Sequence, residues 1–316
     1  MPPQVSVVIP THDRPAEFAI ALDSVLSQEG VDLEVVTVDD GSRDATTVGE
    51  VVQRASDSRI ALHRHDRPRG VSAARNTGIS AATGQWLAFL DDDDVWAPDK
   101  LRAQLSAACD RGRCWAYAGQ VSVDDRLRVV GGTPPPSSDD VVRLLQRANA
   151  VPAGSSNVIV ERSVVARVGT FDPALLSGAD WDLWLRLSAH GPPAVARAPL
   201  VAYRIHGGRM TRDRQRMLRD AAMIAARHDL DIDWPAHHRW AAWDSLIDGR
   251  RLEAVGHYAR AARRGDLGAV PRAFVGLLAP WVGRTTLYRR HVNDPVAAEW
   301  ARGAESWLVR YRSMDR

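Results

Sequence analysis

The sequence predicts an α/β fold, with a mostly parallel sheet flanked by helices and a helical C-terminal extension. Three observations carry this. Short β-branched runs alternate with helical stretches of about 10 to 15 residues through the first hundred positions, the pattern of βαβ units. Those runs are nearly continuous rather than alternating, as strands covered on both faces must be. From about Arg212 onward only helical signals remain.

Val5–Ile9 reads as the first strand, ended by Pro10, and a helix follows through Phe18, Ala21, Leu22, Val25 and Leu26. Leu33–Val38 is the second strand, closed by the turn formers Asp39-Asp40-Gly41-Ser42, and Thr46–Ala55 reads as a helix. Arg59–Leu62 makes a third strand, Val71–Ala82 a helix and Gln85–Leu90 a fourth strand. Beyond Leu101 the pattern changes. Trp115–Val121 and Arg126–Val130 read as a hairpin, residues 133–138 as a loop and Val141–Arg147 as a short helix. Ser156–Glu161 is expected as strand, Arg162–Val168 and Asp180–His190 as helices, and Ala194–Arg204 as strand. Four or more helices are expected after that, with Leu252–Arg264 and Leu267–Leu278 resembling a helical hairpin. The chain thus divides into residues 1–210, with halves 1–100 and 101–210, and a helical region 211–316.

Hydrophobic content of 45% and charged content of 25% exclude disordered and collagen-like classes. A net charge of +2 argues against nucleic acid as the partner. Cys109 and Cys114 stand alone, so neither a zinc site nor a disulfide framework is expected. No run of about 20 apolar residues is present, and the N-terminus leads straight into a strand. A cytoplasmic location follows as the expectation, with peripheral contact at the inner face of the membrane through Val270–Arg290 as a further one.

In parallel sheets, ligands bind beyond the carboxyl ends of the strands. Asp91-Asp92-Asp93-Asp94 follows strand four, where adjacent carboxylates repel one another unless a cation intervenes. Mg²⁺ or Mn²⁺ held by one or two of them plus substrate phosphates resolves that conflict; the plainer alternative is a solvated acidic turn with Asp99 capping the next helix. Asp40 follows strand two and suits a ribose or base, while Ser42 and Asp44 serve equally as turn and cap. After strand one, His12 can stack on a base and Asp13 can bond to it, although Asp13 as an N-cap before Pro15 is the better reading. Arg75 can reach a phosphate, or be an ordinary solvated or salt-bridged arginine. Trp184 reads as core; Trp181 is either core or a sugar platform.

The stretches Val5–Arg14, Val38–Ser42, Gly70–Asn76, Phe89–Asp94, Ala179–Leu187 and Tyr203–His206 together resemble the family 2 glycosyltransferases of the GT-A, Rossmann-like fold. The resemblance covers about the first 210 residues and implies a nucleotide-binding half and an acceptor half. It implies inverting transfer from a nucleoside-diphosphate sugar, most often UDP-linked, to a hydroxyl on a glycan, lipid-linked or small-molecule acceptor. On it, Pro10, Thr11, Asp13 and Asp40 contact the nucleoside, with His12 near the base and Arg75 near the diphosphate. Asp93 is the direct ligand of Mn²⁺ or Mg²⁺, Asp91 and Asp92 are shared between metal and ribose, and His206 lies near the metal. Asp180 takes the place of the catalytic base. Many relatives have Glu-Asp where this chain has Ala179-Asp180, which leaves altered acceptor choice, impaired activity or a role for Asp182 as alternatives. A nucleotidyltransferase is the competing enzyme class, disfavoured because Pro10–Asp13 is not a Gly-rich phosphate loop. A degenerate sugar-nucleotide-binding module is the non-enzymatic one. Homo-oligomerisation through the C-terminal helices is a further expectation.

Overall fold

The computed structural model describes residues 2–205, 213–278 and 295–312. Its sheet begins with β1 (Val5–Thr11), β2 (Leu33–Asp39), β3 (Ile60–Arg64) and β4 (Trp86–Phe89). These run parallel in the order β3-β2-β1-β4. Every residue of β1 is buried, as its unbroken β-branched run requires. Helices α1 (Pro15–Leu26), α2 (Ala45–Ala55) and α3 (Val71–Ala81) make the crossovers. Gly78 of α3 sits so close to Val8 that a Cβ there would collide with it, which brings α3 tight against β1.

Beyond β4 the parallel order ends. A two-residue strand, β5 (Val95–Trp96), precedes α4 (Lys100–Asp110), and β6 (Trp115–Val123) pairs with β7 (Val129–Thr133) as the expected hairpin. Helix α5 (Ser138–Leu145) follows. The expected strand at Ser156–Glu161 is shorter: Gly154–Asn157 forms a 3₁₀ turn and only Ile159–Glu161, β8, is extended. Ala153 and Gly154 both take positive φ, which breaks the strand, and the Asn157 side chain instead bonds the backbone of Ala118 in β6. β8 lies antiparallel between β4 and β6. After α6 (Arg162–Val168) and α7 (Ala179–His190), β9 (Ala194–Arg204) runs parallel to β6, and β5 pairs with its far side.

The helical region contributes α8 (Arg214–His228), α9 (Trp234–Ile247), α10 (Arg251–Arg263) and α11 (Ala269–Leu278), then α12 (Pro295–Arg312). Helices α10 and α11 form the expected hairpin. Helix α12 returns to the sheet: Ala304, Leu308 and Tyr311 are buried with Val121, Val123 and Ala202, and Trp300 Nε1 donates to Gln120 O at 2.9 Å. Trp184 is core, stacked on Trp115 with 6.2 Å between ring centroids. Cys109 and Cys114 are both free thiols. Among the described residues no helix is long and apolar enough to cross a membrane.

Candidate active site

The carboxyl ends of β1, β2 and β4 open onto a cavity of about 960 Å³, whose opposite wall comes from α7, α8 and α9. Pro10, Thr11, His12, Asp40, Arg75, Asp91, Asp92, Asp93 and Asp180 all line it. Asp13 does not. It adopts φ +54°, and its carboxylate accepts from the Arg43 backbone N–H at 2.8 Å and from Arg43 Nε at 2.6 Å. Nor does Asp13 cap α1; Arg14 is the N-cap, without a side-chain bond. His206 lies outside the described residues.

Asp40 is buried and already heavily engaged. It accepts from His65 Nδ1 at 2.7 Å and from the backbone N–H groups of Arg69 and Gly70 at 2.9 and 2.8 Å. It therefore ties the end of β2 to the start of α3. His12 Nδ1 lies 3.0 Å from Asp40 O, while its ring stays 43% exposed at the cavity edge, open for stacking. Ser42 bonds Asp39 rather than a helix end, and Asp44 alone caps α2. Asp99 precedes α4 without a capping bond.

The aspartate run divides by partner. Asp91 pairs with Arg75, which also lies 5.1 Å from the Phe171 ring centroid, and its backbone N–H donates to Ser156 Oγ at 3.1 Å. Arg75 is buried, so it is fixed rather than solvated. Asp92 accepts from Thr11 Oγ1 at 2.9 Å and from the His12 backbone N–H at 3.4 Å, binding β4 to β1. Arg14 Nη1 bridges Asp92 at 3.3 Å and Asp93 at 2.6 Å. Asp94 is no solvated turn residue: it is buried, and its Oδ1 accepts from the Arg204 backbone N–H at the end of β9.

Burial, with Asp93 beside it, pushes the Asp92 carboxyl up to about 7 despite Arg14. Burial also raises Asp94 well above the ordinary carboxylate range, with Asp93 and Asp91 adding to it. Arg14 and Arg75 pair with the carboxylates of this corner. Its donors are hard carboxylate oxygens at the mouth of a wide cavity, a set that fits Mg²⁺ or Mn²⁺. Among the described residues no three His, Cys, Asp or Glu side chains form a ready-made cage. A cation here would take part of its coordination from a substrate.

Asp180 sits in the first turn of α7. Its Oδ2 accepts from Asn149 Nδ2 at 2.9 Å and its Oδ1 from the Trp181 N–H at 2.8 Å. Burial raises its pKa, opposed by Arg75 and Asn149. Asp182 does not line the cavity. Burial would raise the Asp182 carboxyl, but His228, Arg186 and Arg227 together hold it lowered, in a buried cluster. Trp181 is buried, with Nε1 donating to Leu145 O at 2.8 Å and its ring stacked on His237 at 5.8 Å. Asn149, Gly154, His237 and Trp240 also line the cavity and belong to no motif.

The family model for glycosyl transferase family 2 matches residues 6–134. The amylovoran biosynthesis glycosyltransferase AmsB of Erwinia amylovora is 30% identical over 208 residues, covering 63% of this chain and 68% of AmsB. The chain belongs to glycosyl transferase family 2. The succinoglycan biosynthesis protein ExoO of Rhizobium meliloti is 42% identical over 123 residues, 39% of this chain, and the chain spans only 33% of ExoO. The Escherichia coli UDP-Glc:alpha-D-GlcNAc-diphosphoundecaprenol beta-1,3-glucosyltransferase WfgD is 29% identical over 183 residues, covering 58% of this chain and 69% of WfgD. A crystal structure of S. aureus TarS 1–349 in complex with UDP-GlcNAc superposes with a TM-score of 0.59 over 99% of this chain and 90% of that one, at 15% identity. That likeness establishes the GT-A fold for this family 2 chain.

Proposed function

We propose that the protein is an inverting glycosyltransferase that moves a sugar from a UDP-linked donor to a hydroxyl of a glycan or lipid-linked acceptor. The observation that carries this is one cavity lined by both the Asp91–Asp93 corner and the half-buried carboxylate of Asp180. Inversion needs a base on the face opposite the leaving group. The raised pKa of Asp180 makes it a stronger base than an ordinary carboxylate, and Asn149 holds one of its oxygens in place. It would accept the proton of the acceptor hydroxyl as that oxygen attacks the anomeric carbon.

On the donor side, the exposed ring of His12 offers a face to the base and Asp40 a carboxylate near the nucleoside. Arg75 and Arg14 bring positive charge to the edge of the acidic corner, where a diphosphate would lie. Asp93 and Asp91 would hold Mn²⁺ or Mg²⁺, which would supply positive charge against the charge developing on the departing diphosphate. By their names, WfgD transfers glucose to a diphosphoundecaprenol-linked GlcNAc and AmsB acts in amylovoran biosynthesis. This supports an acceptor of that class here.

The test is a thermal-shift screen of nucleoside-diphosphate sugars with and without Mn²⁺, followed by transfer assays. A ligand that binds only the folded state raises the melting temperature. No shift with any donor would reject the reading. A shift without transfer to any acceptor would leave a binding module instead.

A further inference from the structure

The hairpin of α10 and α11 presents an apolar surface that no other element covers among the described residues. Eleven large apolar side chains are exposed among the described residues, and six of them fall within 252–278: Leu252, Leu267, Val270, Phe274, Val275 and Leu278. Three of these form a stripe on α11. Val270, Phe274 and Leu278 stand four residues apart, the spacing that places them on one side of a helix, and Leu267 lies in the turn just before it. Leu267 is 78% exposed, Phe274 63% and Leu278 73%. The opposite side of the hairpin is satisfied: Ala254, Tyr258, Ala261 and Ala269 are buried against Ala242 and Leu246 of α9.

Charge identifies the occupant. Residues 250–278 contain six arginines against two carboxylates. Both carboxylates are already paired, Glu253 with Arg214 and Arg250, and Asp266 with Arg239 at 2.7 Å and with Arg272. Arg251, Arg260 and Arg263 are exposed. An apolar stripe beside uncompensated arginines is the composition that lies in the plane of an anionic bilayer. A second copy of the same face would bring like charges together, and an acidic protein would leave the stripe's alkyl surface unexplained.

We propose that the α10–α11 hairpin docks this protein onto an anionic membrane surface, with Leu267, Val270, Phe274 and Leu278 in the lipid interface and the arginines on the headgroups. Because α9 lies between the hairpin and the cavity, contributing His237 and Trp240 to its wall, docking would hold the site beside the bilayer. The proposal stands apart from the transfer reaction, since none of its residues lines the cavity.

Cosedimentation of the full chain with phosphatidylcholine vesicles, with and without phosphatidylglycerol, tests it. Binding is expected only with phosphatidylglycerol and should weaken at high salt. The double substitution Phe274→Asp/Leu278→Asp should reduce partitioning at least tenfold, and Arg260→Gln and Arg263→Gln about fivefold each. Since these side chains are exposed, melting temperature and transfer to a soluble acceptor should not change. Absence of binding to phosphatidylglycerol vesicles, or binding that survives the double substitution, overturns the proposal. So does a concentration-dependent dimer in sedimentation that the double substitution abolishes, which would assign the face to a second copy.

Discussion

Asn149 donates its side-chain amide to Oδ2 of Asp180 at 2.9 Å, and a Cβ built on Gly154 would meet that same oxygen at 2.6 Å. One carboxylate oxygen is therefore held from one side by a hydrogen bond and crowded from another by backbone. Neither neighbour belongs to the helix that carries Asp180. The arrangement fixes this carboxylate in space, where an acid at position 179 is absent and Ala179 is buried.

Replacement of Asp180 by Asn should separate binding from chemistry. Loss of a positioned base costs about 10²- to 10⁴-fold in rate, while donor affinity, measured by calorimetry with Mn²⁺, should stay within about twofold. Stability should not fall. A carboxyl whose folded pKa is raised above its unfolded value opposes folding once pH exceeds both, and Asn removes that cost at neutral pH. Undiminished transfer in Asp180→Asn would reject the assignment.

The pH profile follows from the same shift. With Asp180 as the proposed base, transfer needs it deprotonated, so activity should decline on acidification at a pH above the ordinary carboxylate range. The Asn149 bond favours the charged form. Asn149→Ala should consequently move the acid limb of kcat/KM to higher pH and lower the plateau, whereas a purely structural Asn149 would lower the plateau without moving the limb.

Gly154→Ala tests the other neighbour. Gly154 has φ +51°, so any side chain there is strained by about 1 kcal/mol, and the new methyl must displace Asp180 Oδ2. Transfer should fall at least tenfold, with a change in stability too small to account for it. Urea unfolding beside steady-state kinetics separates the two effects.

How much of this was legible in the sequence depended on how local the cause was. β1, β2 and β4 were readable because strands buried on both faces must be apolar, while the half-exposed β3 was read from its place between two helices, and the rule that ligands bind at strand ends then singled out Thr11, Asp40 and Asp91 to Asp93. Residue type alone did not say which carboxylates face the cavity. Asp13 turns to Arg43 through a positive φ, and Asp94 is buried under β9, a strand 100 residues later. Asn149, Gly154, His237 and Trp240 were missed because the cavity gathers them through long-range packing and none carries a local pattern. The two-residue β5 was too short to show periodicity, and the 3₁₀ turn at Gly154–Asn157 arises from paired positive φ values that apolar patterning cannot register.

Asp40 separates a structural role from a binding one. Its three accepted bonds hold residues 65–70 at the head of α3, the helix that carries Arg75 to Asp91. Hydrogen bonds to a charged group contribute about 1.5 to 3 kcal/mol each, and a buried donor left unmet adds its own cost. Asp40→Ala should thus destabilise the protein by roughly 3 kcal/mol or more, and weaken donor binding by loosening Arg75. Asp40→Asn keeps one acceptor oxygen and the shape of the side chain, so it should lose less stability. If Asp40 also contacts the nucleoside, donor affinity in Asp40→Asn should fall at least tenfold, beyond anything its stability loss explains. An Asn variant with parental affinity would reduce Asp40 to the latch between β2 and α3.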